Sequence, residues 1–242
     1  MALSSSRMSV VIILTCFTFS LNMCVGTDYD YLSLALQWQP AYCRIPADVR
    51  INCQSNLIVK DNFTIHGLWP SKHSGPQPRN CIPIDSQGET LDIKKILPAT
   101  FTKLKKSWTS LIGDDTEFWK SQWKVHGTCY YTKNQKQAKY LNTAYNFWSG
   151  FNLFNRLKVE GIVPVKGGKL YTTEAAIKAF KKSYAEDTVT YIPEFKCSTP
   201  TPSSPSELYE IIMCLDHDGN EPINCTTTSP SCGKQFLWKS EK

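Results

Sequence analysis

Apolar and polar positions change rhythm several times along this 242-residue chain. Tyr29 to Trp38 (YDYLSLALQW) reads as a strand, and Leu57 to Trp69 as a second one ending at Pro70. Ser71 to Gly88 has no period and is rich in Gly, Pro, Ser and Asn, so it is predicted to be a loop. Helical spacing follows at Leu91 to Leu111 (interrupted by Pro98), Thr116 to His126, Gln135 to Leu157 and Thr173 to Tyr184. The last of these opens as TEAAIKAF, with acidic Glu174 suited to a first helical turn. Val189 to Cys197 and Leu208 to Leu215 (LYEIIMCL) are rich in β-branched and aromatic residues and are predicted strands. Between them, STPTPSSPS (Ser198 to Ser206) is too proline-rich for a central strand, and the cysteines on both sides place it inside one domain. There is no internal repeat. Strands and helices do not alternate as βαβ units, which predicts an α+β fold.

Composition divides the chain at its start. Arg7 precedes an apolar run, Ser9 to Leu21, that is too short to span a bilayer, and CVG precedes Thr27. Residues 1–26 therefore read as a cleaved secretory signal and 27–242 as one secreted domain, with no other stretch suited to a membrane. The formal net charge of +6 becomes +5 without Arg7, a mild bias toward polyanionic partners. Of ten cysteines, Cys16 and Cys24 leave with the signal. The other eight predict four disulfides in an oxidising compartment, with connectivity open at this point. No Cys-x-x-Cys pair occurs and the four histidines are scattered, so no metal site is predicted.

Two of those histidines stand in related contexts. FTIHGLWPS (Phe63 to Ser71) places His66 in a strand-like run, and EFWKSQWKVHGTCYY (Glu117 to Tyr131) ends a helical pattern at His126-Gly127. Phe118, Gln122 and His126 recur every four residues and share a helical stripe, whereas Trp119 and Trp123 read as a core pair. Gly127 is predicted to end the helix, which puts His126 in a last turn that favours its charged form. A strand histidine facing a helix histidine suits in-line phosphoryl transfer: one takes a proton from the nucleophile and the other gives one to the leaving oxygen. No metal or cofactor is needed for that. His73 and His217 are predicted to be exposed surface residues.

These two segments resemble the active-site segments of the ribonuclease T2 family, the secreted plant ribonucleases. LALQWQPAYC (Leu34 to Cys43) is similar to that family's first strand. IIMCLDHDGNEPINC (Ile211 to Cys225), followed by SCG at Cys232, is similar to its C-terminal hairpin. The resemblance spans the whole mature chain. It implies an α+β domain built on an antiparallel central sheet flanked by helices, and cleavage of single-stranded RNA through a 2′,3′-cyclic phosphate. It implies that His126 activates the 2′-OH and that His66 protonates the leaving 5′-oxygen. It also implies that Trp69 and Phe118 stack on a base and that Gln37 contacts the second base. The implied bridges are Cys43–Cys53, Cys81–Cys129, Cys197–Cys232 and Cys214–Cys225.

The second segment departs from the family pattern Phe-Trp-x-His-Glu-Trp-x-Lys-His-Gly. Ser121 replaces a histidine, Gln122 the glutamate and Val125 the lysine. Gln122 and Ser121 still donate hydrogen bonds to a phosphate; Val125 donates none. A lost cation costs on the order of 10²-fold in rate by analogy with lost oxyanion donors. Lys124, one position away and so turned by about 100°, and Lys120, a turn and a half back, are alternative replacements between which the sequence does not choose; Lys124 is counted with the substrate-binding residues. The departures also fit a second reading, an impaired or inactive recognition protein on the same fold. Within the family, the basic charge and Ser71 resemble the pistil enzymes of self-incompatibility more than the acidic defence or phosphate-scavenging enzymes. For that class the loop Ser71 to Asp85 is the expected contact for pollen F-box proteins, made by a monomer. Asn62 and Asn224 begin glycosylation sequons, the second hindered by Cys225 if that residue is bridged.

Overall fold

Every residue of β1 (Tyr31–Gln37) is buried, as expected for a strand covered on both faces and paired on both edges. The computed structural model describes residues 28–45, 53–54, 58–132, 136–184, 187–199, 204–226 and 231–240. The predicted leader lies outside them. β1 pairs antiparallel with β2 (Thr64–Ser71) on one side and with β7 (Glu207–Leu215) on the other. The sheet continues through β9 (Gln235–Trp238) to β3 (Lys169–Thr172). β6 (Glu194–Ser198) and β8 (Pro222–Ile223) also pair with β7. One contact corrects the expected antiparallel sheet: β7 and β9 run parallel at Glu207 and Leu237, so the sheet is mixed.

Helices pack on one face. They are α1 (Gln39–Tyr42), α2 (Pro98–Ser107), α3 (Asp115–Gln122), α4 (Thr128–Tyr130), α5 (Gln137–Phe151), α6 (Leu153–Val159) and α7 (Thr173–Ile177). Pro98 does not interrupt a helix but starts α2, where its missing N–H costs nothing. Asp114 caps α3 by accepting from the N–H groups of Thr116 and Glu117. The single predicted helix to Leu157 is broken at Asn152, which adopts a left-handed conformation (φ 46°). The core between helices and sheet holds Leu32, Leu34, Leu36, Ile65 and Leu68 from the strands, Phe63 just before β2, and Trp108, Trp119, Trp123, Tyr140 and Leu157 from the helical side. A smaller cluster of Tyr31, Ala35, Ile212 and Cys214, with Trp69 against it, covers the other face.

Two sequence readings are corrected by pairing. The helix predicted to run to Tyr184 stops at Ile177, and β4 (Lys181–Tyr184) forms a separate hairpin with β5 (Asp187–Thr190). Cross-strand pairing overrides a weak helical pattern there. The run Val189 to Cys197 is split between β5 and β6 at Pro193, which cannot donate to a ladder. All four bridges implied by the resemblance are present: Cys43–Cys53, Cys81–Cys129, Cys197–Cys232 and Cys214–Cys225.

Candidate active site

β2 is not a regular strand. Ala35 pairs with Gly67 and Leu36 with Ile65, so His66 is an extra residue with no partner on β1. Such a bulge re-aims a side chain and frees backbone groups from the ladder. The outward carbonyls of this edge strand are satisfied by indole and phenol donors from the helical side. Trp148 Nε1 donates to Phe63 O (2.7 Å), Trp108 Nε1 to His66 O (3.0 Å) and Tyr140 Oη to Leu68 O (2.8 Å). The bulge is thereby held without an orphaned carbonyl at His66. Gly67 follows it because a Cβ there would clash with Trp69 Nε1 and Gln122 Oε1.

His126 also sits in an irregularity. Gly127 does not end the helix: the chain widens into a π turn at Trp123–Gly127 and continues into α4. The Trp123 ring packs so tightly over Gly127 that a Cβ there would clash with it. Wide turns of this kind often position functional side chains. His126 therefore lacks the helix-end environment expected to favour its charge. Burial, then the nearby Arg79 charge, then His66 lower its pKa to about 3. Its Nδ1 is buried with no hydrogen-bond partner among the described residues.

The two histidines line one cleft of about 350 Å³, together with Trp69, Gln122 and Arg79. Trp69 packs beside both, its ring centre 5.2 Å from His66 and 5.3 Å from His126. Its indole N–H donates to Gln122 Oε1 at 3.0 Å, which orients the Gln122 amide nitrogen as the group left to donate to a ligand. On the far side of His66, Nδ1 lies 2.6 Å from Oε2 of Glu210, a carboxylate 6% exposed on β7. An ionised carboxylate only accepts, so Nδ1 carries a proton and Nε2 is the nitrogen left for chemistry. Phe118 stacks near His66 with ring centres 6.3 Å apart.

Other predicted residues stay apart from the cleft. Gln37 is 1% exposed, buried opposite Glu210 in the sheet. Ser121 is exposed and donates to Phe118 O within its own helix. Lys124 is exposed and does not line the cleft, and Lys120 pairs with Glu117 at 2.6 Å. The helical step that separates position 124 from the histidine stripe accounts for this. Two cleft-related residues, Glu210 and Arg79, escaped the sequence reading. A carboxylate inside the apolar strand LYEIIMCL was the available signal for Glu210, since such groups are almost never buried unpaired. His73 and His217 are exposed as predicted, yet their rings stack on Tyr31 (4.9 Å) and Tyr29 (4.4 Å).

Residues 29–225 match the ribonuclease T2 family. The chain is 32% identical to ribonuclease S-2 of Solanum tuberosum, over 94% of each protein. It is 30% identical to the intracellular ribonuclease LX of Solanum lycopersicum, over 89% of this chain and 84% of that protein. In structure it is similar to ribonuclease MC1 from the seeds of bitter gourd, with a TM-score of 0.69 and 27% identity over 86% of this chain and 99% of that one. A mutant of ribonuclease MC1 has been crystallised with 5′-GMP.

Proposed function

The chain belongs to the ribonuclease T2 family, and from its cleft we propose a metal-independent endoribonuclease that cuts single-stranded RNA by transphosphorylation. The observation that carries this reading is that His66 and His126 line one cleft, each against Trp69. His126, held neutral by burial and neighbouring charge, takes the proton from the ribose 2′-OH. The 2′-oxygen attacks phosphorus and the bond to the 5′-oxygen breaks. His66 delivers a proton from Nε2 to that leaving oxygen, while Glu210 holds the ring and faces its positive charge. The products are a 2′,3′-cyclic phosphate and a free 5′-hydroxyl. The bound phosphate also offsets the Arg79 charge, which makes His126 a stronger base in the complex than in the free protein. Trp69, which lines the cleft, offers an aromatic surface on which a base can stack, and Gln122 donates to a phosphate oxygen.

Incubating the mature protein with single-stranded RNA and determining the end groups tests this reading. Cyclic-phosphate ends and intact single-stranded DNA are expected, because DNA lacks the nucleophile. No cleavage, or cleavage of DNA, would overturn it.

The finer role we infer is a secreted protein of pollen rejection. Residues 1–26 have the pattern of a secretory leader and every described cysteine is bridged, which suits an oxidising compartment. The loop after β2 keeps His73 to Gln77 exposed beside the cleft, where a pollen F-box protein would read it. Exchanging residues 71–85 for those of another member of the class is expected to change which F-box protein binds in a pull-down with purified partners. Unaltered binding after the exchange would remove this role from the loop. Asn62, half-buried before β2, is the sequon we infer to carry a glycan, whereas the bridge at Cys225 hinders modification of Asn224.

A further inference from the structure

Proton transfer alone does not complete the cleft. As the 2′-oxygen adds to phosphorus, the phosphorane gains negative charge beyond that of the starting diester. A fixed cation near it stabilises the transition state more than the ground state. The helix offers none at the cleft: Val125 is uncharged, and Lys124 and Lys120 do not line it. Apart from the two histidines, Arg79 is the one charged side chain among the described residues that line the cleft.

The chain around Arg79 is fastened to the helix that carries His126. Pro78, before it, is buried. Asn80, after it, adopts a left-handed conformation (φ 51°) and donates its backbone N–H to Val125 O at 2.8 Å. Cys81 is bridged to Cys129. The loop is thus tied to the backbone of Val125 itself and, four residues on, to Cys129. The Arg79 side chain is exposed and, among the described residues, makes no ion pair that would hold it away from a ligand. Its charge is felt at His126.

We propose that Arg79 supplies the cation of this site, contacting the scissile phosphate from the loop after β2 in place of a charge on the His126 helix. The inference rests on the ribonuclease reading above. A guanidinium in this position presents two parallel N–H donors to the non-bridging oxygens, a geometry that a single ammonium does not reproduce.

The test uses a dinucleoside monophosphate, which contains only the scissile phosphate. Arg79→Ala is expected to lower kcat by roughly 10²-fold, with KM changed much less. Arg79→Lys is expected to recover about tenfold of that loss. Val125→Lys is expected to restore activity in the Arg79→Ala protein and to add little to the parent. Unchanged kcat in Arg79→Ala overturns the proposal. So does a loss seen only with polymeric RNA, because Arg79 would then hold a neighbouring phosphate. A parent protein that cleaves neither substrate overturns the ribonuclease reading itself, a result distinct from an active parent indifferent to Arg79.

Discussion

Asparagine in place of His126 is expected to reduce kcat for RNA cleavage by roughly 10²–10⁴-fold, the contribution of one positioned acid or base. At the middle of that range the barrier rises by about 4 kcal/mol. The fold should survive, because His126 Nδ1 has no hydrogen-bond partner to lose. His66→Asn is expected to cost a similar factor in rate and also some stability, because it deprives the buried Glu210 carboxylate of its partner. An unpaired buried group of this kind costs about 1–3 kcal/mol. Glu210→Gln, which keeps a hydrogen-bonding group but removes the charge facing the imidazolium, is expected to fall between these variants and the parent in rate. Cyclic-phosphate release from a dinucleoside monophosphate gives the rates, and circular dichroism with urea unfolding gives the fold. Parental rates in both histidine variants would remove the acid–base pair from the mechanism.

Trp123→Ala is expected to destabilise the protein by about 3–5 kcal/mol, the usual cost of emptying a buried aromatic site. The ring is 0% exposed and meets Tyr131 and Tyr140 edge-on at 6.0 and 5.3 Å. Its Nε1 donates to Gly88 O at 2.7 Å, so one residue joins the helix, the loop before α2 and the core. Its removal also frees the π turn at Gly127, so activity should fall even where the protein remains folded. Trp123→Phe keeps most of the ring and loses the indole donor, leaving the Gly88 carbonyl short of a partner, and should therefore cost less. Urea unfolding at constant pH measures both. A loss under about 1 kcal/mol for the alanine variant would show that this site collapses around the gap.

Burial periodicity made β1, β7 and most of the helical layer legible, because those segments face the core along their length. What the pattern concealed were the places where one residue departs from the local repeat. Phe63 and Ile65 are two apart, but the next core residue of β2 is Leu68, three further on. That extra step is the bulge at His66, written in the sequence as a skipped beat. The π turn left a fainter trace, since a helix that runs through His-Gly looks like one that ends there. β9 and the β4–β5 hairpin are short and owe their form to partners distant in the chain. Arg79 was hidden for a different reason: it lies in a loop with no period, and only the Asn80–Val125 hydrogen bond and the Cys81–Cys129 bridge bring it to the cleft. The reacting pair was readable from residue types, whereas its electrostatic setting depended on tertiary contacts.

Because His66 stands in a step that the β1–β2 ladder skips and His126 in a turn wider than its helix, scaffold and chemistry are separable in descent. A codon change at either histidine removes a proton carrier while the ladder, the helix and the bridges continue past it. Gene duplicates of such a chain can lose catalysis in one step and remain folded, free to drift toward binding alone. The return is equally short, since the vacant step persists in the backbone and one substitution refills it.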